Sequence, residues 1–314
     1  MQKDLISVIM SAYNESLDWI ESSVESILNQ TYKNIEFIIV VDNPNRMELR
    51  EMLMNYEKQN SRIKLIFNEK NQGLVKSLNL ALNYCTGKYI ARMDADDISM
   101  LHRLEHQKDY LELHKLDFVF SGVQFINEEN AILYEGDNSA LNTANTRRKL
   151  ENLNISYHST WFLKKEIYDA LGGYREIRYC EDYDFLLRCL SKKFKISKMD
   201  GAMVQYRLRQ DSISRSYSLE QFLNSKSILK LYKKNQLEDD LKVADVQVES
   251  KEIANEKERN KFTKADNFYF TGVDLIKNGK KTQGLFRLVK SVSVSKYYFL
   301  RNVDVLIHKL SARN

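Results

Sequence analysis

YIARMDADD, Tyr89–Asp97, is an apolar, strand-like run that ends abruptly in carboxylates. Asp94, Asp96 and Asp97 cannot join a hydrophobic core without a counter-charge, because burying or crowding unpaired carboxylates is costly. Two readings fit that ending. One is a solvated acidic turn. The other is a set of hard oxygen ligands for Mg²⁺ or Mn²⁺, which would in turn hold phosphates.

Working outward toward the N-terminus, the same kind of apolar run recurs. LISVIMSA (5–12), IEFIIVV (35–41), RIKLIF (62–67) and KYIARM (88–93) read as strands. Between them, Ser16–Asn29, Arg46–Tyr56 and GLVKSLNLALNY (73–84) carry helical periodicity. The order βαβαβαβ, with short apolar strands and helices of ordinary length, predicts a largely parallel sheet covered by helices on both faces. Ligands of such sheets gather beyond the carboxyl ends of the strands, here the loops after Met10, Val41, Phe67 and Met93.

Toward the C-terminus the pattern changes. DFVFSGVQFI (117–126) and STWFLKK (159–165) read as further strands, GGY (172–174) as a turn and YCEDYDFLLRCL (179–190) as a helix, so the sheet becomes mixed. Glu181 and Asp182 fall in that helix's first turn. There they serve either as dipole-favoured acids at a helix start or as a base that takes a proton from a hydroxyl. From about Leu219 the chain turns to long helical segments, and its one proline, Pro44, lies far upstream. The expected division is an α/β domain over residues 1–217 and a helical C-terminal extension over 218–314. The last stretch, 284–314, interleaves Arg287, Lys290, Lys296, Arg301, Lys309 and Arg313 with Leu285, Phe286, Tyr297, Tyr298, Phe299 and Leu300, and Asp304 is its one acid. That composition suits an anionic membrane surface, and it suits an ordinary amphipathic helix on the domain equally.

Composition narrows the function classes. With 314 residues and 43% hydrophobic content the chain can build a full core, and a net charge of +5 does not point to nucleic acid. Cys85, Cys180 and Cys189 are odd in number and lack C-x-x-C spacing, which argues against a disulfide framework or a zinc site. No stretch has the length and hydrophobicity of a signal or a span, so the expected location is cytoplasmic, soluble or peripheral at the inner face of the plasma membrane. A dinucleotide-dependent oxidoreductase would need G-x-G-x-x-G after the first strand, where SAYNES stands. A nucleotidyltransferase would need a glycine-rich basic signature there, which is also missing.

SVIMSAYNES, EFIIVVDN, NQGLVKSLNLAL, YIARMDADD, HRLEHQ, HSTWFLKKEIYDALGGY and CEDYDFLLR occur in that order. This set resembles the family 2 glycosyltransferases of GT-A fold that assemble bacterial polysaccharides, over residues 5 to about 215. The resemblance implies an inverting transfer from a UDP-sugar to a saccharide or lipid-linked oligosaccharide of a capsule or exopolysaccharide, with Mn²⁺ or Mg²⁺ as cofactor. Carried over position by position, it puts Ser11, Ala12, Tyr13 and Glu15 around the nucleoside and Asp42 on the uracil N–H. Gly73 would allow close backbone approach, and Lys76 would reach the base or the phosphates. Asp94 and its neighbour Ala95 would face the ribose, Asp94 and Asp96 would hold the metal, and Asp182 would be the general base, with Glu181 sharing the duty. His158 and Trp161 would form the acceptor side by stacking on sugar, against the alternatives of a satisfied loop histidine and a core aromatic. Three departures stand out: Val41 replaces the first aspartate of the family's doublet, Leu78 and Asn79 stand where an arginine is usual, and Arg209 stands where histidine is frequent. They keep a second reading in play, a catalytically silent nucleotide-binding partner subunit of another transferase.

Overall fold

Residues 6–92 fold as their periodicity dictates. The computed structural model describes residues 4–209 and 216–311. Strands β1 (Ile6–Ala12), β2 (Ile35–Val41), β3 (Ile63–Phe67) and β4 (Tyr89–Arg92) alternate with helices α1 (Leu17–Leu28), α2 (Met47–Gln59) and α3 (Leu74–Leu82). Ser16 caps α1 by accepting the Trp19 N–H, and the helix buries Ile20, Val24 and Ile27 at helical spacing. The strands pair in parallel in the order β3-β2-β1-β4, with Ala12 opposite Val41 and Val41 opposite Phe67. Their carboxyl ends therefore share one rim.

The sheet then becomes mixed. After β5 (Ile98–Ser99) and α4 (Arg103–Leu113) come β6 (Phe118–Ile126), β7 (Ile132–Glu135), α5 (Thr143–Leu150), β8 (Phe162–Lys164), α6 (Lys165–Leu171), α7 (Glu181–Ser191) and β9 (Ile196–Arg207). The full order is β3-β2-β1-β4-β8-β6-β9-β5, with β7 on β6; β8 runs antiparallel to both β4 and β6. The strand expected over 159–165 is shorter, because His158–Thr160 form a 3₁₀ turn and only Phe162–Lys164 pair with the sheet. One apolar layer, including Val8, Met10, Phe37, Ile39, Ala91 and Phe162, packs the sheet against its helices.

The chain forms two compact units. The first comprises residues 1–148, 155–176 and 188–209 and holds the whole sheet. The second gathers 149–154, 177–187 and 210–314, so that two short stretches from within the α/β sequence group with the C-terminal helices. Those helices are α8 (Ser218–Lys233), α9 (Asp240–Ile253), α10 (Glu256–Lys277), α11 (Lys281–Val294) and α12 (Lys296–Ser311). Leu219, Ala254, Phe262, Ala265 and Tyr298 make their core. Among the described residues no helix is long and apolar enough to cross a membrane.

Candidate active site

The rim of the parallel strands is built as a set of loops tied to one another. Beyond β1, Tyr13 N–H donates to Glu15 (2.8 Å), and the Arg46 guanidinium from the β2–α2 loop donates to the carbonyls of Tyr13 (3.2 Å) and Glu15 (2.7 Å). Asn43 Nδ2 donates to Asn14 Oδ1 at 2.7 Å. Asp42, at the end of β2, is buried, and its N–H is held by the Ala12 carbonyl at 2.8 Å. Its Oδ1 accepts from Asn68 Nδ2 (2.6 Å) and Gln72 N–H (2.8 Å), and its Oδ2 from Gly73 N–H (2.8 Å). A carboxylate oxygen accepts two hydrogen bonds, so Oδ2 keeps acceptor capacity for a further donor.

Gly73 is required by its backbone conformation. Nothing lies within 4 Å of where its Cβ would sit, so crowding does not select glycine. Its φ of 85° and ψ of 164° do, since that region is essentially closed to L side chains. The turn aims the N–H at Asp42 and starts α3. Lys76, one turn into α3, is half-exposed and lies 3.6 Å from Glu176.

At the end of β4 the acidic run is braced by arginines. Asp94 Oδ1 pairs with the buried Arg92, and the Asp94 carbonyl accepts from Ser23 Oγ at 2.9 Å. Asp96 Oδ2 lies 3.1 Å from Arg209 Nε. Asp97 is buried, and its Oδ1 accepts the Arg207 N–H at 2.9 Å, while Arg207 Nε donates to the Asp96 carbonyl at 2.8 Å. Trp19 lies beneath both arginines, with Arg207 5.1 Å and Arg209 6.0 Å from its ring centre. Burial and the nearby Asp94 charge push the Asp96 carboxyl up to about 7, against the pull of Arg209. Burial, with Asp96 and Asp94 close by, also raises Asp97 well above the carboxylate range. The run is thus short of positive charge even with its arginines in place.

These bracing groups were not legible in the sequence. Arg92 sits inside an apolar strand, Arg46 in a loop, and Arg207 about a third of the chain away from the carboxylates it serves. A charged residue amid an apolar strand was the one usable signal, and it pointed to Arg92.

Of the two residues expected on the acceptor side, Trp161 belongs to the core, and His158 is half-buried beside it. Trp161 is fully buried, with Phe118, His158 and Tyr174 around its ring and its Nε1 donating to Ser156 Oγ at 3.1 Å, so it offers no face to a sugar. His158 is 2.8 Å from the Tyr174 hydroxyl, which meets Tyr168 at 2.7 Å. Burial and the Arg92 charge hold its imidazole well below its usual pKa, hence neutral. Trp161 takes the structural role of the alternative weighed for it.

Asp182 and Glu181 open α7 in the second unit. Asp182 Oδ1 accepts the Tyr183 N–H at 2.6 Å and Oδ2 accepts from Asn154 Nδ2 at 2.8 Å. The carboxylate therefore satisfies a first-turn donor of its own helix and is fixed in orientation by a side-chain amide. Tyr183 anchors the same turn, its hydroxyl donating to the Leu150 carbonyl at 2.6 Å.

Comparison with known proteins places this architecture. The family described as "Glycosyl transferase family 2" matches residues 7–172. The chain belongs to that family. It is similar to an uncharacterized glycosyltransferase of Methanocaldococcus jannaschii, with 36% identity over 236 residues covering 75% of this chain and 81% of the relative. It is also similar to the O-antigen biosynthesis glycosyltransferase WbnJ of Escherichia coli, with 32% identity, 72% of this chain and 91% of the relative. Among solved structures, S. aureus TarS 1–349 in complex with UDP-GlcNAc superposes with a TM-score of 0.59 and 18% identity over 92% of this chain and 81% of that one. At that identity the likeness establishes the shared GT-A fold. This family 2 glycosyltransferase therefore carries Asp42, Asp94 and Asp96 on the rim where sheets of this kind bind ligands.

Proposed function

We propose that this glycosyltransferase moves a hexose from a UDP-sugar to a saccharide or lipid-linked saccharide during polysaccharide assembly, with inversion at the anomeric carbon, on the cytoplasmic side. The observation that carries the reading is the carboxylate pair Asp94 and Asp96, on the same rim as the Asp42 cradle with β1 between them and deficient in positive charge. In this reading Asp42 Oδ2 accepts the uracil N–H, Tyr13 and the Ser11–Ala12 backbone border the nucleoside, and Lys76 with Arg209 meets the diphosphate. Guanidinium forks suit phosphate oxygens.

The donor set also fits a divalent metal. Among the described residues no three His, Cys, Asp or Glu side chains converge, but Mg²⁺ and Mn²⁺ in such sites are held by one or two carboxylates plus substrate phosphates. Asp94 and Asp96 would hold it, and the ion would neutralise charge on the departing diphosphate. The raised Asp96 carboxyl supports this, since a bound cation offsets the cost of ionising it.

Asp182 is the proposed general base. It would take the proton of the acceptor hydroxyl as that oxygen attacks C1 and the UDP leaves from the opposite face. One base is enough for inversion, whereas a double displacement would need a nucleophile near C1 as well. Glu181 would assist in orienting the acceptor.

The reading is tested by incubating the protein with UDP-sugars and Mn²⁺ and following UDP release. Release that disappears in Asp96→Ala supports it. Undiminished release in that variant would remove the metal assignment, and UDP binding without release from any UDP-sugar would favour a silent nucleotide-binding partner subunit.

A further inference from the structure

The helical unit carries a surface that sugar transfer leaves unused. Between Lys280 and Val303 the sequence has six basic residues, Lys280, Lys281, Arg287, Lys290, Lys296 and Arg301, and no acid. Within the same span α11 exposes Leu285 (61%), Phe286 (66%) and Val289 (59%), and α12 exposes Phe299 and Leu300. At ~100° of rotation per residue, Leu285, Phe286 and Val289 share a single arc of α11 about 100° wide, with Lys281 and Lys290 just outside its two edges. The opposite side of the helix is turned inward, where Gly284 and Ser291 are buried. A Cβ on Gly284 would meet the Gly272 carbonyl of α10 at 2.6 Å, so backbone contact fixes which face α11 presents. Phe268 of α10 lies 4.9 Å from the Lys290 ammonium, which holds that cation beside the apolar arc.

We propose that α11 docks this protein on an anionic lipid bilayer, inserting Leu285, Phe286 and Val289 at the acyl boundary while Lys281 and Lys290 meet lipid phosphates. Aliphatic and aromatic side chains clustered at helical spacing and flanked by cations are the arrangement that binds in the interfacial plane. A run of basic residues uninterrupted by acid matches a continuous anionic surface, and each cation near it adds attraction. An exposed apolar cluster without such a partner would be a liability for the protein. The assignment is independent of the donor, metal and base proposed above.

The full chain is sedimented with vesicles of phosphatidylcholine alone and of phosphatidylcholine with phosphatidylglycerol. Binding is expected to the mixed vesicles and not to the neutral ones, and to weaken with added salt. Leu285→Ser/Phe286→Ser and, separately, Lys281→Glu/Lys290→Glu should each lower partitioning by about tenfold or more. The melting temperature should stay unchanged, since the replaced side chains are exposed. UDP affinity, followed by calorimetry, should also be unaltered, which keeps failure of this proposal separate from failure of the donor reading. Equal binding to neutral vesicles, no binding to either kind, or a concentration-dependent dimer lost in the Leu285→Ser/Phe286→Ser variant would each overturn it.

Discussion

Arg209 Nε lies 3.1 Å from Asp96 Oδ2, so the carboxylate proposed to hold a metal already has a cation beside it. An arginine cannot ligate a metal, yet it can stabilise the ionised carboxylate and bind phosphate. In the proposed site the two duties would oppose each other: Arg209 would compete with the metal for Asp96 and join it in binding the diphosphate.

That opposition predicts a split phenotype for Arg209→Ala. Mn²⁺ affinity without nucleotide should rise, because the competing charge is gone. UDP affinity should fall by about tenfold, the order expected for losing a charge-assisted hydrogen bond. Electron spin resonance of free Mn²⁺ and calorimetry with UDP measure the two separately, and a parallel loss of both would contradict the competition.

Asp182→Asn should leave UDP affinity intact and lower turnover by roughly 10²-fold or more if proton removal is rate-limiting. Asparagine can still accept the Tyr183 N–H through its oxygen, and its NH2 can be met by a flipped Asn154 amide, while the basic oxygen is removed. Single-turnover kinetics give the answer. A variant with wild-type turnover would leave Asp182 only its role at the start of α7.

Trp161→Ala should act on stability and not on acceptor affinity. The ring is fully buried between Phe118, His158 and Tyr174, and truncating such a residue costs about 3–5 kcal/mol. Denaturant unfolding should show that loss. An unchanged midpoint with a raised acceptor KM would return Trp161 to the acceptor side.

The parallel half of the sheet was legible because β1 to β4 are short apolar runs separated by amphipathic helices, a pattern that the chain repeats without interruption. Strand β9 was not. ISKMDGAMVQYR places Lys198, Asp200 and Gly201 in its middle, which reads as a loop. In the fold, Gly201 adopts a φ of 81°, Lys198 is buried against Asp137, and the pairing with β6 shifts register nearby. At the site, the carboxylates were visible because acids end an apolar strand. Arg209 was visible too, as a departure at a position where histidine is frequent, but Arg207 was not, since only the return of β9 along β6 brings it to the acidic loop. Trp161 shows the converse limit: an aromatic next to a motif looks the same in sequence whether it faces a sugar or a core.

Gly73→Ala should destabilise the fold by about 1–3 kcal/mol with no steric clash involved, because the strain lies in the backbone region that φ of 85° and ψ of 164° define. The same change should weaken UDP binding, since a relaxed turn would withdraw the Gly73 N–H from Asp42 Oδ2 and leave that oxygen to reorient. A melt and a UDP titration on one preparation separate the two effects. Wild-type stability would show that the turn tolerates a side chain.

Alkaline pH should destabilise the protein through its buried thiols. Burial pushes the Cys85 thiol from 9.0 up to about 12, and Cys180 is raised well above its ordinary value for the same reason. The unfolded chain loses these protons first, so above pH ~9 the native state binds more protons than the unfolded one and stability falls as pH rises. Each pH unit between the unfolded and folded values of Cys85 removes up to about 1.4 kcal/mol. The contribution is complete below pH ~9 and gone once Cys85 itself ionises near 12. Cys85→Ala should flatten that decline in denaturant midpoints measured from pH 8 to 11. In the native protein at pH 8, Ellman's reagent should meet no fast thiol among Cys85, Cys180 and Cys189, all of which are buried. Rapid labelling of Cys85 at that pH would show that the α3–β4 turn opens far more readily than its packing implies.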